Sequence, residues 1–206
     1  MSNEGWVKRQ RTHHQIKEMM NIFQIKFTIT LFLMSFIVVT GVSLTHARDF
    51  TVPIGYTLDI SDVTLDFIEE DIFNYGSITL SNGTVTLGGD WLNAGSFLSG
   101  TATTVKLNSS TGSQSVTTGG TSSPFYYLTV TNSGASGVTF VDALYCGILT
   151  AASGVQKLSF GTSGVHTISL NFNVNGASGS LITLAPAASS NNWYLDAPST
   201  TISYLD

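Results

Sequence analysis

The feature that most limits what this chain can fold into is a beat. From Ser77 onward, short runs of alternating apolar and polar residues return at steps of about ten residues, inside the spacing of all-β proteins. Ile78-Thr79-Leu80, Val85-Thr86-Leu87, Val105-Lys106-Leu107, Leu128-Thr129-Val130, Val138-Thr139-Phe140, Leu158-Ser159-Phe160 and Ile182-Thr183-Leu184 carry it, and the run from Ile168 to Val174 extends it. A period of two sends successive side chains to opposite faces, so one face of each run is buried and the other wet. Asn and Gly punctuate the runs, as in Asn74-Tyr75-Gly76, Asn82-Gly83, Asn93-Ala94-Gly95, Asn132-Ser133-Gly134 and Asn175-Gly176. Both residues tolerate the positive φ of tight corners. The expected class is all-β.

Two architectures fit this beat. One is a parallel β-solenoid with two or three short strands per coil; the other is an antiparallel β-sandwich. The period runs to the last residue without a long crossover, and a pattern (N)-x-G-x-h-T-h (h apolar) recurs at Asn74 to Leu80 and, more loosely, at Asn93 to Leu98 and Asn132 to Phe140. The outward positions are mostly Thr, Ser and Asn, which pair in ladders when coils stack. On the other side, Asn82-Gly83 at the centre of Ile78 to Leu87 reads as a two-residue hairpin turn, which means antiparallel pairing or a hairpin cap on a solenoid. The solenoid is the expected fold, with the sandwich as its alternative.

Phe27 to Val42 is a run of sixteen residues without a charge, preceded by Lys8, Arg9, Arg11, Lys17 and Lys26. A basic flank, an apolar stretch and then small residues is how a secretory signal helix reads, and Thr45-His46-Ala47 places its cleavage after Ala47. An uncleaved anchor would need about 20 apolar residues; Phe27 to Leu44 supplies eighteen with Thr, Ser and Gly among them. Membrane contact is therefore expected only through this leader, if it is retained. Translation starting at Met20 would give a leader of ordinary length. The expected organisation is a signal peptide over residues 1–47, an acidic cap over 48–76 and a repeat domain over 77–206. The last residues, Ile202 to Asp206, read as strand, so that domain is expected to be cut short at its C-terminus.

Beyond Ala47 only Arg48, Lys106 and Lys157 stand against eleven carboxylates, a net charge of −8. So few cations cannot neutralise phosphates, which argues against nucleic acid and against anionic lipid surfaces as partners. The single cysteine, Cys146, allows no intramolecular disulfide. Burial in a core and backbone pairing must hold the fold.

Candidates for chemistry are few. His166 is the one histidine after Ala47, and at a strand start between Val165 and Thr167 it reads as a solvent-facing residue. Cys146 sits in the apolar run Ala143 to Leu149 without a basic neighbour and reads as a small buried hydrophobe. Asp59, Asp62, Asp66, Glu69, Glu70 and Asp71 form the one charge concentration, but their spacing follows no calcium loop and suits a solvated cap. Glycoside hydrolysis needs two carboxyls within about 5–9 Å, and between Asp90 and Asp196 the only acid is Asp142. No catalytic residue, cofactor or metal is expected. Trp91, Tyr126 and Trp193 are candidates for contact with a glycan, if their rings reach the surface rather than fill coil interiors.

The order Gly89-Asp90-Trp91-Leu92-Asn93-Ala94-Gly95-Ser96-Phe97, then Thr104-Val105-Lys106-Leu107-Asn108, Ser113-Gln114-Ser115-Val116 and Phe125-Tyr126-Tyr127-Leu128-Thr129-Val130 resembles a known series. It is similar to the repeats of secreted, autotransporter-like right-handed β-helix surface proteins of bacteria, and Asn192 to Leu195 with Ile202 to Asp206 resembles a later coil. The likeness covers about Gly89 to Asp206 and departs at Lys106 and Asn108, where an apolar residue and a glycine are usual. It implies a right-handed β-helix at a bacterial surface and lends no catalytic residue. The functional expectation is a non-enzymatic, secreted or surface-held scaffold or adhesin-like module, with envelope or extracellular polysaccharide as its partner. A carbohydrate-binding sandwich is the alternative, and a fragment of a β-helix polysaccharide-cleaving enzyme stands third.

Overall fold

The computed structural model describes residues 37–39, 49–110, 112–120, 124–188 and 192–206. The expected signal helix and the Ala47 junction lie outside the described residues, except that Ile37–Val39 forms a short strand, β1.

From Phe50 the chain alternates short and long strands. The short ones are β2 (Phe50–Val52), β4 (Ile72–Asn74), β6 (Trp91–Asn93), β8 (Gln114–Thr117), β10 (Val138–Phe140), β12 (Lys157–Phe160) and β14 (Thr183–Pro186). The others are β3 (Thr57–Phe67), β5 (Ser77–Leu87), β7 (Ser96–Leu107), β9 (Phe125–Val130), β11 (Tyr145–Ala151) and β13 (Val165–Asn175), with β15 (Tyr194–Asp196) and β16 (Thr200–Ser203) both paired to β13. Each strand pairs in parallel with the strand two further along, so the short set makes one sheet in the order β2-β4-β6-β8-β10-β12-β14 and the long set another from β3 to β15. The result is a β-solenoid of about six turns. One turn takes 19 residues from Asn74 to Asn93 and 25 from Asn93 to Thr118, roughly two beats of the sequence.

The parallel register overturns both the sandwich and the hairpin. Asn82-Gly83 lies inside the single strand β5, which pairs in parallel with β3 and β7 along its length. A corner replaces the hairpin: the register slips at Ser61–Val63 and at Leu80–Asn82, and Gly83 takes φ +124°. A Cβ at Gly83 would run into the Val63 carbonyl oxygen of the turn beneath. The Asn-Gly pair therefore bends a strand between two faces of the coil instead of reversing it. Among the described residues, the one antiparallel bridge is Ala177 with Ser180.

Period-two alternation now has a direct consequence. Side chains that face inward on one turn stack on their register partners from the next, building columns of like residues. Val85, Val105, Leu128, Leu149 and Phe172 form one such column, and Leu87, Leu107, Val130, Ala151 and Val174 the next. All ten are buried. Burial of each large aliphatic contributes about 1.5–3 kcal/mol. Rings thicken the core at two levels. Trp91 meets Phe97 edge-on at 5.0 Å and Phe125 at 5.4 Å, and Phe140 lies 5.4 Å from Phe160. Residues 50–74 wind in the same way as the coils that follow, with β2 on β4 and β3 on β5.

Polar side chains hold the corners. Asn74, Asn93, Gln114 and Asn132 are buried, and each spends its amide on a neighbouring turn. Asn74 donates to Asn93 Oδ1 at 2.7 Å and to the Ser96 carbonyl; Asn93 donates to the Thr118 carbonyl at 2.8 Å. Asn132 donates to Gln114 Oε1, and Gln114 to the Leu87 and Gly89 carbonyls. The Leu87 carbonyl also takes the Asn108 N–H; a buried polar group left without any partner costs about 1–3 kcal/mol.

Candidate functional site

A hollow opens on the outer wall among the described residues, at a local irregularity. Phe125, Cys146 and Ile168 are register partners on β9, β11 and β13, and all three are buried. The positions that follow them are Tyr126, half-buried, Gly147, buried, and Ser169, exposed. Between Cys146 and Ile148 the register against β13 slips by one residue, so that both Ser169 and Leu170 stand exposed opposite Gly147. Such a bulge re-aims side chains and bends the wall. Gly147 suits the tight packing there, because a Cβ would come within 2.8 Å of the Tyr126 carbonyl oxygen and 3.4 Å of Leu170 Cδ1.

The hollow has a volume of about 310 Å³, at the lower end of small-ligand sites. Tyr126 and Ser99 bound it on the preceding turns, Ser169 and Leu170 on the following one, and Tyr145 with Thr167 close one end. Several of these groups are held in place. The Tyr126 backbone N–H donates to Ser99 Oγ at 3.0 Å, Ser169 Oγ donates to the Cys146 carbonyl, and the Tyr126 ring rests edge-on against Tyr127 at 4.8 Å. The described lining is aromatic, aliphatic and hydroxylic, with no charged side chain.

Of the three aromatic candidates for glycan contact, the structure brings only Tyr126 to this hollow. Trp91 is 2% exposed, packed among Phe97 and Phe125, and faces the core; it has no ring surface to offer a sugar. Alternation decides this, because Trp91 shares the inward face of β6 with Asn93. Trp193 is half-buried and stacks on Phe160 at 4.4 Å with the rings 15° from parallel, covering the core at its last turn. Tyr145, Gly147, Thr167, Ser169 and Leu170 were not singled out by the sequence. The one available signal was a glycine inside the strand run Tyr145 to Ala151, which marks a bulge or a close approach.

Several titratable groups are tied into the fold. His166 is fully buried, which corrects the solvent-facing reading: β13 begins with Val165 exposed, so alternation turns His166 inward with Ile168. Its Nδ1 accepts the Leu144 backbone N–H at 3.1 Å and its Nε2 donates to the Gly161 carbonyl at 2.8 Å. Burial holds its pKa below the usual imidazole value, against smaller opposing effects of the Gly161 hydrogen bond and the Asp142 charge. Cys146 is buried, and burial pushes its thiol far up. A thiol held protonated is a poor nucleophile.

Carboxylates clamp turn to turn. Asp71 Oδ1 accepts the Asp90 N–H at 2.6 Å, Asp90 Oδ1 accepts the Ser115 N–H at 2.6 Å, and Asp142 accepts the Thr118 and Gly119 N–H groups at 2.7 and 3.0 Å. Burial raises Asp90 above the usual carboxylate range; the Ser115 hydrogen bond opposes the shift and the Asp71 charge adds to it. Among the described residues, no three His, Cys, Asp or Glu side chains gather as a metal site.

Compared with protein-family models, curated proteins and solved structures, the chain matches none.

Proposed function

We propose that this chain works as a non-enzymatic scaffold or adhesin-like module, exported by its leader and displayed at a bacterial surface. The observation that carries the reading is where the polar chemistry is spent. Asp71, Asp90 and Asp142 cap backbone N–H groups of neighbouring turns, the buried Asn and Gln amides bind corner carbonyls, and His166 bridges two backbone groups. What remains outward is a wall of Thr, Ser and Asn on a frame of stacked turns. Register aligns Thr64, Thr84 and Thr104 across three turns and Thr129 with Thr150 across two more. A wall of this kind supplies many weak polar contacts along its length, and such contacts gain strength through multivalency.

The test uses the full chain, expressed with its own leader in a bacterial secretion host. The expected product is extracellular and begins at Arg48, by N-terminal sequencing. Beads coated with it should adhere to bacterial envelopes or extracellular polysaccharide above uncoated controls, and incubation with a polysaccharide panel should release no fragments. Cytoplasmic retention, or turnover of any polysaccharide in that panel, overturns the reading.

A further inference from the structure

We propose that the hollow over Gly147 is a binding site for a neutral sugar, one or two rings in size, presented by a glycan. The proposal deepens the adhesin reading and rests on it, because it names what the outer wall would hold. The hollow is an indentation at a bulge on the parallel wall, and three properties of its lining point to the same ligand chemistry.

The first is size. About 310 Å³ is room for one or two pyranose rings. The second is the pairing of rings with hydroxyls. Tyr126 and Tyr145 offer aromatic surface and phenolic O–H groups, while Ser99, Thr167 and Ser169 offer hydroxyls around the same opening. A sugar ring has an apolar C–H face that packs on an aromatic ring and an edge of hydroxyls that both donate and accept. Tyrosine and threonine hydroxyls match that edge because such a group can donate or accept; Ser169, which donates to the Cys146 carbonyl, and Ser99, engaged with the Tyr126 N–H and Thr103 Oγ1, add acceptor oxygens only. Leu170, exposed at 46%, adds an aliphatic rim for the C–H face.

The third property is charge. No Lys, Arg, Asp or Glu is among the described lining residues. A uronic acid, sulfated sugar or phosphate would leave its anion without a counter-charge there, in a chain that is already acidic overall. A cationic peptide would likewise lack a carboxylate to pair with. Neutral hexoses lose nothing by this.

The floor explains why the hollow sits where it does. Gly147 lies buried at its base, and the one-residue slip against β13 moves Ser169 and Leu170 side by side into the rim. Tyr126 is anchored from below by its N–H on Ser99 and from the side by Tyr127. Anchoring lowers the entropy lost when a ligand is held.

The experiment immobilises the secreted full chain on an array of neutral and acidic glycans and follows hits by saturation-transfer NMR. Binding is expected to neutral glycans and to persist in 1 M salt, because no ion pair contributes. Tyr126→Ala should lower affinity about tenfold or more, as truncation of an aromatic anchor does. Ser169→Trp, at an exposed position, should fill the hollow and give a similar loss. Tyr194→Ala, an exposed tyrosine outside the hollow, should change nothing. Circular dichroism of each variant confirms that the β-fold is intact; should Tyr126→Ala unfold, Ser169→Trp alone decides. Binding confined to acidic glycans, no binding to any, or equal loss in Tyr194→Ala overturns the proposal. Coated beads that adhere while the array is blank would overturn the sugar site and leave the adhesin reading standing; an array hit without adhesion does the reverse.

Discussion

The side-chain amide of Asn74 donates to Asn93 Oδ1 at 2.7 Å, and Asn93 passes the contact on by donating to the Thr118 carbonyl one turn further. Two asparagines 19 residues apart in sequence thus stand directly above one another, paired in register on β4 and β6. Asn74 Oδ1 also accepts the Gly76 N–H, which fixes the corner between the two sheets. An asparagine can do this because its amide carries donors and an acceptor at once. The ladder converts a repeated Asn-x-Gly into a fixed corner angle.

Removing one rung of that ladder should be costly. Asn93→Ala leaves the Asn74 amide short of an acceptor and the Thr118 carbonyl without its donor, both in a buried place. At about 1–3 kcal/mol for each stranded group, the loss should total at least about 2 kcal/mol. Asn93→Asp should cost no less, since a carboxylate cannot donate to Thr118. Urea unfolding reads the difference; a shift below 0.5 kcal/mol for both variants would show that the ladder does not stabilise the fold.

The corner at Gly83 makes a second prediction. Its φ of +124° disfavours any L side chain, and a Cβ would collide with the Val63 carbonyl. Backbone strain of this kind costs about 1–3 kcal/mol, before the collision is counted. Gly83→Ala should therefore destabilise by about 2 kcal/mol or more. Asn82→Ala, beside it and exposed, should cost far less. Equal thermal midpoints for Gly83→Ala and the parent would mean that β5 does not turn its corner there.

Much of this fold is legible in the amino acids, and the illegible parts share one cause. Alternation in Val85-Thr86-Leu87 or Val105-Lys106-Leu107 identifies each strand and its buried face, because it is a property of the strand itself. Which strand lies beside which is a property of the whole winding. Asn82-Gly83 is a turn signal on local grounds, and only the neighbouring turns, pressing Val63 against Gly83, decide that it bends rather than reverses. The inward turn of His166 is hidden for a related reason: a strand start leaves the phase of alternation open by one residue, and one residue exchanges the two faces. The hollow was the least legible of all, since it depends on a one-residue slip between β11 and β13.

Asp90 should give stability a dependence on acid of an unexpected sign. Its pKa is raised in the fold by burial, so the folded state prefers the protonated acid. The contribution is fully present below the ordinary carboxylate value and is lost as pH rises through the raised one. Asp90→Asn keeps an oxygen for the Ser115 N–H and removes the charge. The variant should equal or exceed the parent in stability at pH 7, with the gap closing as pH falls towards 4. Urea midpoints across that range check it; a variant weaker at pH 7 than at pH 4, relative to the parent, would refute the assignment.

His166 should act in the opposite direction and in a different window. The ring is neutral in the fold, with Nδ1 accepting from Leu144 and Nε2 donating to Gly161, while Phe160 packs edge-on against it at 5.0 Å and Trp193 lies beyond. A proton on Nδ1 would set N–H against N–H and place a charge in the core, and the Gly161 hydrogen bond and the Asp142 charge favour it less than burial opposes it. Because the folded pKa lies below the ordinary imidazole value of about 6.5, the contribution is present above that pH and is lost as pH falls through the folded value. His166→Phe fills similar space but strands the Leu144 N–H and the Gly161 carbonyl, so it should be weaker than the parent by about 2 kcal/mol or more at pH 8. Below pH 6.5 the parent should lose stability while His166→Phe does not, and the two curves should converge. Urea midpoints taken between pH 8 and 5, in parent and variant that both carry Asp90→Asn, isolate the effect. Curves that stay parallel through that range would mean that the buried imidazole takes its proton as easily folded as unfolded, which its contacts with Leu144 and Gly161 forbid.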